Sequence, residues 1–124
     1  MSGISLFADT NIIIYILDGN EVLAEFLEGK DVKISFITEI ELLSKPGINS
    51  SEKKKIKEFI SGCTIVDVNE EIKENTIGLR SSYKLKLPDA LVAASAQFYN
   101  IPLISSDKVF EKVKEIESII AEVI

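Results

Sequence analysis

Histidine is absent from the 124 residues of this chain, and its absence excludes several classes of enzyme. Without an imidazole there is no Ser-His-Asp triad, no histidine general acid or base and no histidine-ligated zinc. The single cysteine, Cys63, excludes an intrachain disulfide and a cysteine-cluster metal site. Because no histidine activates it, Cys63 is interpreted as a small core residue at a strand start. An enzyme built from this sequence must therefore use carboxylates, lysines, hydroxyls or a cofactor.

Long apolar runs are also missing. None approaches the roughly 20 residues that span a bilayer, so we expect no membrane association. The N-terminal MSGISLFADTN has no basic segment before its apolar residues, which argues against a signal peptide. Together with the lone cysteine, this predicts a cytoplasmic protein, and the length favours one domain over residues 1–124.

Positive charge is scarce. The net charge is −6 and the pI is about 4.7, which argues against a general nucleic-acid binder with a large basic face. The charge does not exclude a smaller site at which a metal ion and a few nearby lysines neutralise the charge of a phosphate. Lysines on an amphipathic helix are usually solvated, and that interpretation is favoured for the run 53–55. The cations available to a phosphate are Lys45, Lys53, Lys54, Lys55, Arg80, Lys84 and Lys86.

Apolar strand-like segments alternate with helix-like segments along the chain. Alternation of this kind implies right-handed crossovers and a parallel sheet covered on both faces. The sequence therefore predicts a three-layer α/β/α fold with a mainly parallel central sheet. The predicted strands are 4–8, 32–36, 63–68, 102–105 and a terminal edge strand within 118–124.

Four carboxylates interrupt strongly apolar sequence: Asp9, Glu41, Asp89 and Asp107. Acids in such surroundings are costly to desolvate unless something positive meets them. Asp9, Glu41 and Asp107 each follow a predicted strand. Because ligand sites form outside the carboxyl ends of parallel strands, these three are expected at one edge of the sheet. The same reasoning does not place Asp89, which follows no strand.

Each acid also has a purely structural interpretation. Asp9 and Asp107 could be helix N-caps, Thr38 with Glu41 has the spacing of a capping box, and Asp89 lies in a first helical turn. Capping requires no convergence, whereas three carboxylates on one edge repel strongly without a cation. Capping and metal binding can coexist in the same residues.

Hard oxygen donors without imidazole or thiolate favour Mg²⁺ or Mn²⁺ over zinc or copper. Thr10 and Asn11 beside Asp9, and Ser105 before Asp107, could orient a carboxylate or a metal-bound water. Turn and cap positions explain these polar residues equally well.

Four segments carry a resemblance to a known family. DTNIIIYIL, the T-x-x-E at 38–41, LPDALVAASA and LISSDKVF resemble the PIN domain, in particular its toxin-type, VapC-like ribonucleases. They occur in order and at suitable intervals over nearly the whole chain. LPDALVAASA followed by NIPLISSD is the most specific portion.

The resemblance implies a PIN-like parallel-sheet fold and an Mg²⁺- or Mn²⁺-dependent endoribonuclease. It transfers the acidic quartet of the family to Asp9, Glu41, Asp89 and Asp107, and so brings Asp89 to the same edge. Frequent homodimers and, for toxins, a small antitoxin that blocks the site are also implied. Val109 stands where many relatives carry a further acid, and Ser106 replaces the usual neighbour of the last Asp, which bears on a second metal position.

The resulting hypothesis is that Asp9, Asp89 and Asp107 hold one ion, while Glu41 positions or deprotonates the attacking water or helps to hold a second ion. A non-catalytic PIN-like binding or scaffolding module is the main alternative. A signalling receiver domain is disfavoured because Asp67 is placed within a predicted strand. A haloacid-dehalogenase-type phosphatase would need an acid where Asn11 stands.

Overall fold

The computed structural model describes residues 3–123 and confirms the alternation of strands and helices. The short helix that the sequence predicts over DKVFEKV (107–113) is instead a 3₁₀ turn over Lys108–Lys112. Within these residues no helix is both long and apolar enough to cross a membrane. The elements are β1 Ser5–Ala8, α1 Thr10–Leu17, α2 Glu21–Leu27, β2 Asp31–Ser35, α3 Phe36–Leu43, α4 Ser50–Ile60, β3 Thr64–Val66, α5 Glu70–Tyr83, α6 Leu87–Tyr99, β4 Leu103–Ser105 and β5 Ser118–Ile120.

The five strands form one sheet in the order β3-β2-β1-β4-β5, and every pairing among them is parallel. The α/β fold class predicted from the sequence is therefore confirmed. Because β1 lies between β2 and β4, its carboxyl end is at the centre of the edge where the following loops gather.

The strand order also argues against the alternative of a signalling receiver domain. Receiver-type sheets run 2-1-3-4-5, with the third strand beside the first, whereas here β3 lies at the outer edge. The placement of Asp67 within a strand was wrong, since β3 ends at Val66 and Asp67 follows it. The fold excludes a receiver domain on its topology.

Alternating side chains of β1 point into two separate cores. Phe7 is fully buried in the core that α5 and α6 cover, whereas Leu6 and Ala8 contribute to the core beneath α1, α2, α3 and α4. This alternation follows from the two-residue period of a strand. Both faces of the sheet are covered, which accounts for the apolar character of β1.

Helix α6 lies against the sheet through small side chains. Ala90, Ala93, Ala94 and Ala96 are all fully buried, so the helix approaches its neighbours closely. Pro88 occupies the first turn, where a missing N–H costs nothing. The packing of this helix fixes the position of Asp89, one residue after the proline.

Two predicted helix starts were wrong. α3 begins directly after β2, and its N-cap is Ser35, whose hydroxyl oxygen accepts the Ile37 N–H at 3.2 Å. Thr38 therefore lies inside the helix and forms no capping box with Glu41. The sequence offers Ser50 or Ser51 as the cap of α4, but Asn49 takes that position by accepting the Glu52 N–H at 2.8 Å.

Candidate active site

Asp9 lies at the carboxyl end of β1 and is the N-cap of α1. Its Oδ1 accepts the Thr10 N–H at 2.9 Å, and its Oδ2 accepts the Ser105 hydroxyl at 2.8 Å and the Asn11 amide at 3.2 Å. The residue is only 8% exposed. Burial raises the pKa of Asp9, the Ser105 and Thr10 hydrogen bonds lower it, and the nearby acids Asp89 and Glu41 raise it further. The capping role and a buried acidic site thus coincide.

Glu41 reaches the same edge from α3 and is held by a pair of threonines. The Thr10 hydroxyl lies 2.7 Å from Glu41 Oε1 and 2.8 Å from the Thr38 hydroxyl. An ionised carboxylate only accepts hydrogen bonds, so Thr10 donates to Glu41 and Thr38 donates to Thr10. The sequence analysis missed this role of Thr38. The signal was the i, i+3 spacing, which places Thr38 and Glu41 on one face of a helix.

Ser105 links Asp9 to the Asp107 segment. Its side chain is fully buried, and Oγ accepts the Asp107 N–H at 3.0 Å while its proton goes to Asp9. Asp107 is exposed, and its Oδ1 accepts the Val109 N–H at 2.9 Å, so it caps the 3₁₀ turn as its structural interpretation predicted. One hydroxyl therefore ties the end of β1 to the end of β4.

Asn11 supports the same connection from α1. Its amide donates to Asp9 and, at 3.3 Å, to Ser105, while its Oδ1 accepts the Ser106 N–H at 3.2 Å. The polar residues Thr10, Asn11 and Ser105 thus all contact the acids they were predicted to support.

Asp89 is half-buried in the first turn of α6. Burial raises the pKa of Asp89 first, then the charge of Asp107, while Lys86 lowers it and Glu41 raises it again. Asp89 also contributes to the raised pKa of Asp9. The structure thus places Asp89 near the other three acids, a position that the strand topology alone did not give.

Lys86 is the cation that lowers the pKa of Asp89, and it does so without forming an ion pair with the group that we call the acid cluster (Asp9, Glu41, Asp89 and Asp107). Within residues 3–123, none of its members lies in an ion pair. The ion pairs found there are Lys33–Asp31, Lys45–Glu52 and Lys73–Glu70. Like charges gathered at one edge disfavour ionisation unless a cation joins them.

The chemistry of the donor set fits a hard divalent cation, because it consists of carboxylate and hydroxyl oxygens without imidazole or thiolate. Within residues 3–123, however, no three acidic or cysteine side chains lie close enough together, in their present positions, to hold a metal ion. The carboxylates influence each other's ionisation without meeting in ligating geometry. Glu41 and Asp107 are exposed, so their side chains can turn toward an ion.

Comparison with known proteins identifies the family. A model described as "PIN domain" matches residues 6–116. The comparison with curated proteins gives no match. A chain of a toxin–antitoxin complex from Klebsiella pneumoniae is 30% identical, with a TM-score of 0.78 and coverage of 90% of this chain and 94% of that chain.

Two more distant structures share the fold. A chain of VapBC2 from Rickettsia felis, bound to a promoter DNA fragment, is 21% identical with a TM-score of 0.84, and the match covers 93% of this chain and 97% of that chain. A chain of VapBC-1 from nontypeable Haemophilus influenzae is 22% identical with a TM-score of 0.79, covering 94% and 98% respectively. Because the family model spans most of its length and the fold agrees, this chain belongs to the PIN domain family.

Proposed function

We propose that this PIN domain is a metal-dependent endoribonuclease that hydrolyses RNA phosphodiester bonds and is the toxin of a toxin–antitoxin pair. The observation that carries the proposal is the acid cluster, in which four carboxylates gather at the carboxyl edge of the sheet and none of them lies in an ion pair within residues 3–123. Carboxylates that serve only to cap helices have no need to face each other.

Asp9, Asp89 and Asp107 would hold one Mg²⁺ or Mn²⁺. A bound ion of this kind lowers the pKa of water and neutralises charge that develops on phosphate oxygens. Asp9 is fixed for this task by hydrogen bonds from Ser105, Asn11 and the Thr10 amide. Its buried position also excludes water from one side of the carboxylate.

Glu41 would position the attacking water and accept its proton. The Thr10 hydroxyl holds one carboxylate oxygen of Glu41, which leaves the other oxygen for the water. The reaction would leave a 5′-phosphate and a 3′-hydroxyl. The 30% identical chain belongs to a toxin–antitoxin complex, which supports a small antitoxin as partner; a homodimer and a cytoplasmic location complete the proposal.

The direct test is incubation of the purified protein with single-stranded and structured RNAs in Mg²⁺, Mn²⁺ or a chelator. We expect cleavage with either metal and none with the chelator, and end-labelling of the products is expected to locate the phosphate on the 5′ end. Products with a 2′,3′-cyclic phosphate would contradict hydrolysis by an activated water.

Replacing Ser105 by alanine tests the link between Asp9 and the Asp107 segment. The change removes the hydroxyl that donates to Asp9 and accepts from the Asp107 amide. Loss of an orienting hydrogen bond to a metal ligand typically reduces affinity or activity, and we expect a decrease of roughly 10- to 100-fold in cleavage rate at subsaturating Mn²⁺.

Ser106→Ala is the matched control, because only the backbone N–H of Ser106 contacts the site. Its rate is expected to equal that of the wild type. Equal rates for the two alanine variants would show that the Ser105 hydroxyl has no part in holding Asp9.

Thr38→Val tests the threonine pair. Valine preserves the shape of this fully buried side chain but cannot donate to Thr10. Because Thr10 is then freer to turn away from Glu41, we expect kcat to fall by roughly three- to tenfold while KM for RNA is unchanged. A larger effect on KM than on kcat would contradict a positioning role.

A non-catalytic binding module is the second candidate, and it is favoured by one observation: the carboxylates as they lie do not form a ligating group among the described residues. The two candidates differ in the RNA experiment. A module that binds Mn²⁺ but leaves every RNA intact would be a binding protein with a PIN fold.

A further inference from the structure

Positive charge in this acidic chain is concentrated on α4 and the loop before it. Residues 45–57 hold five of the 14 basic residues and one of the 20 acidic residues, so a segment of net charge +4 lies in a chain whose other residues carry −10. The sequence alone favours a solvated lysine face. Two structural observations favour a binding surface instead.

The first observation is that lysines gather along one side of α4. Lys53, Lys54 and Lys57 are all exposed and recur at the spacing of one helix face. Within residues 3–123, none of them lies within 4.0 Å of a carboxylate oxygen, although the chain has acids in excess. We call this surface the lysine groove, lined by Ser50, Lys53, Lys54, Lys57, Glu58 and Ser61.

The second observation is that the opposite side of α4 borders a cleft that reaches the acid cluster. The cleft has a volume of about 360 Å³, and Glu41 belongs both to its wall and to the acid cluster. Its floor is apolar. The lining residues are Ile14, Leu17, Leu42 and Ile56, with Asp18, Glu41, Lys45, Glu52 and Lys55 around them.

Lys55 and Lys45 line this cleft, and each has N–H donors that are available to a further acceptor. Lys55 Nζ donates to the Leu17 carbonyl at 2.6 Å, which leaves two of its three protons for another acceptor. Lys45 Nζ lies 3.9 Å from Glu52, and both side chains are largely exposed, so the pair is weak. Because Asp18 and Glu52 offset these charges, the lysine groove supplies most of the positive field.

We propose that α4 is the surface on which this protein docks single-stranded RNA. The lysine groove holds backbone phosphates, and the strand continues across α4, past Lys55 and Lys45, to Glu41 and the acid cluster. This inference rests on the proposed nuclease function and states where the polyanionic substrate lies. Ammonium groups contact phosphates without reading bases, so docking on α4 is independent of sequence.

The test compares two variants of equal charge. In the first, Lys53→Gln, Lys54→Gln and Lys57→Gln are combined; in the control, the exposed lysines at 73, 112 and 114 become Gln. Gln keeps the helix propensity of Lys at exposed positions. Binding of a fluorescein-labelled single-stranded RNA of about 12 nucleotides is measured by anisotropy, with Ca²⁺ in place of Mg²⁺ to prevent turnover.

Titrations at roughly 50 to 200 mM KCl are expected to show tight, salt-dependent binding by the wild type. The lysine-groove variant is expected to bind at least tenfold more weakly at low salt. The slope of log Kd against log salt is expected to fall by about two, since each lost phosphate contact removes about 0.7 on single strands. The control variant keeps the wild-type slope, and Arg in place of the three groove lysines restores it.

If the groove variant matches the control in affinity and slope, the proposal is wrong. It is equally wrong if the groove variant changes only the oligomeric state in light scattering, which would make α4 an interface between copies. RNA binding that needs the groove lysines, without cleavage in Mg²⁺ or Mn²⁺, would refute the nuclease function and keep the docking surface. Cleavage with a KM that does not change when the groove lysines are replaced would support the nuclease function and refute the docking surface.

Discussion

Asp9→Asn is expected to abolish RNA cleavage while giving a protein that, without metal, gains thermal stability relative to the wild type as the pH rises. Asparagine keeps the size of the side chain and an oxygen that can accept the Thr10 N–H. It removes the negative charge through which Asp9 would hold a divalent cation. Loss of that interaction is expected to slow cleavage on the order of 10³-fold or more.

The gain in stability follows from the raised pKa of Asp9, which shows that burial and the neighbouring acids disfavour its charge. Stability that the protonated form provides is complete below the unfolded value of 3.8 and is lost as the pH rises through the folded pKa. Asparagine has no charge to desolvate, but with its oxygen on the Thr10 N–H its amide nitrogen faces the Ser105 hydroxyl and the Asn11 amide, a cost that does not depend on pH. The melting temperature of the variant relative to that of the wild type should therefore rise as the pH increases from below 3.8 to neutral.

Asp31→Asn is the matched control, since Asp31 is exposed at the start of β2, on the edge of the sheet opposite to the acid cluster. It is expected to leave cleavage unchanged. Thermal melting in a chelator at several pH values, together with cleavage assays in Mn²⁺, separates the two effects of Asp9→Asn. An Asn variant that cleaves RNA in a metal-dependent way would contradict the role given to Asp9.

Mn²⁺ is expected to raise the melting temperature of the wild type substantially. An ion that binds only the folded state at 100 times its Kd adds about 2.7 kcal/mol, which for a domain of this size corresponds to a shift on the order of 10 °C. The shift also includes relief of the repulsion among the carboxylates. That repulsion contributes to the raised pKa values of Asp9 and Asp89 in the metal-free protein.

Asn variants of the three proposed ligands, Asp9, Asp89 and Asp107, are expected to lose most of this shift, and Asp31→Asn to keep it. Differential scanning calorimetry over a range of Mn²⁺ concentrations gives both the size of the shift and its saturation. A wild-type shift that survives all three ligand substitutions would place the bound ion elsewhere on the molecule.

Much of this site could be predicted because strand position determines which loops meet. Asp9 and Asp107 follow β1 and β4, which are neighbours in the sheet, so their approach depends only on parallel topology. The almost wholly apolar segment after Pro88 also favours a helix, which the structure forms as α6, and its small buried residues fix Asp89. That Asp89 lies at the acidic edge came from the family resemblance, because helix packing distances are not readable from periodicity.

The misassigned residues show where local patterns mislead. Thr38 and Glu41 fit a capping box, yet β2 passes directly into α3 and Ser35 takes the cap one turn earlier. The consequence is functional, since the displaced Thr38 hydroxyl becomes the buried donor to Thr10. A capping motif and a helix-face pair have the same i, i+3 spacing, and only tertiary contacts distinguish them.

The side-chain hydrogen bonds that connect neighbouring strands could not be predicted from the sequence either. Ser105 was expected to support Asp107, and it does so through a backbone amide while giving its proton to Asp9. Ser105 and Asp9 are 96 positions apart in the sequence, so no local sequence pattern predicts the hydrogen bond between them. Its existence depends on β1 pairing with β4.

Anomalous diffraction from a crystal grown with Mn²⁺ is the most direct measurement of whether the acid cluster is a cation site. The expected result is a manganese peak with carboxylate oxygens of Asp9, Asp89 and Asp107 either about 2.0 to 2.4 Å away or joined to the ion through one water, and with Glu41 turned toward it. A well-ordered crystal in which those carboxylates remain apart and manganese binds elsewhere, or nowhere, would contradict the account.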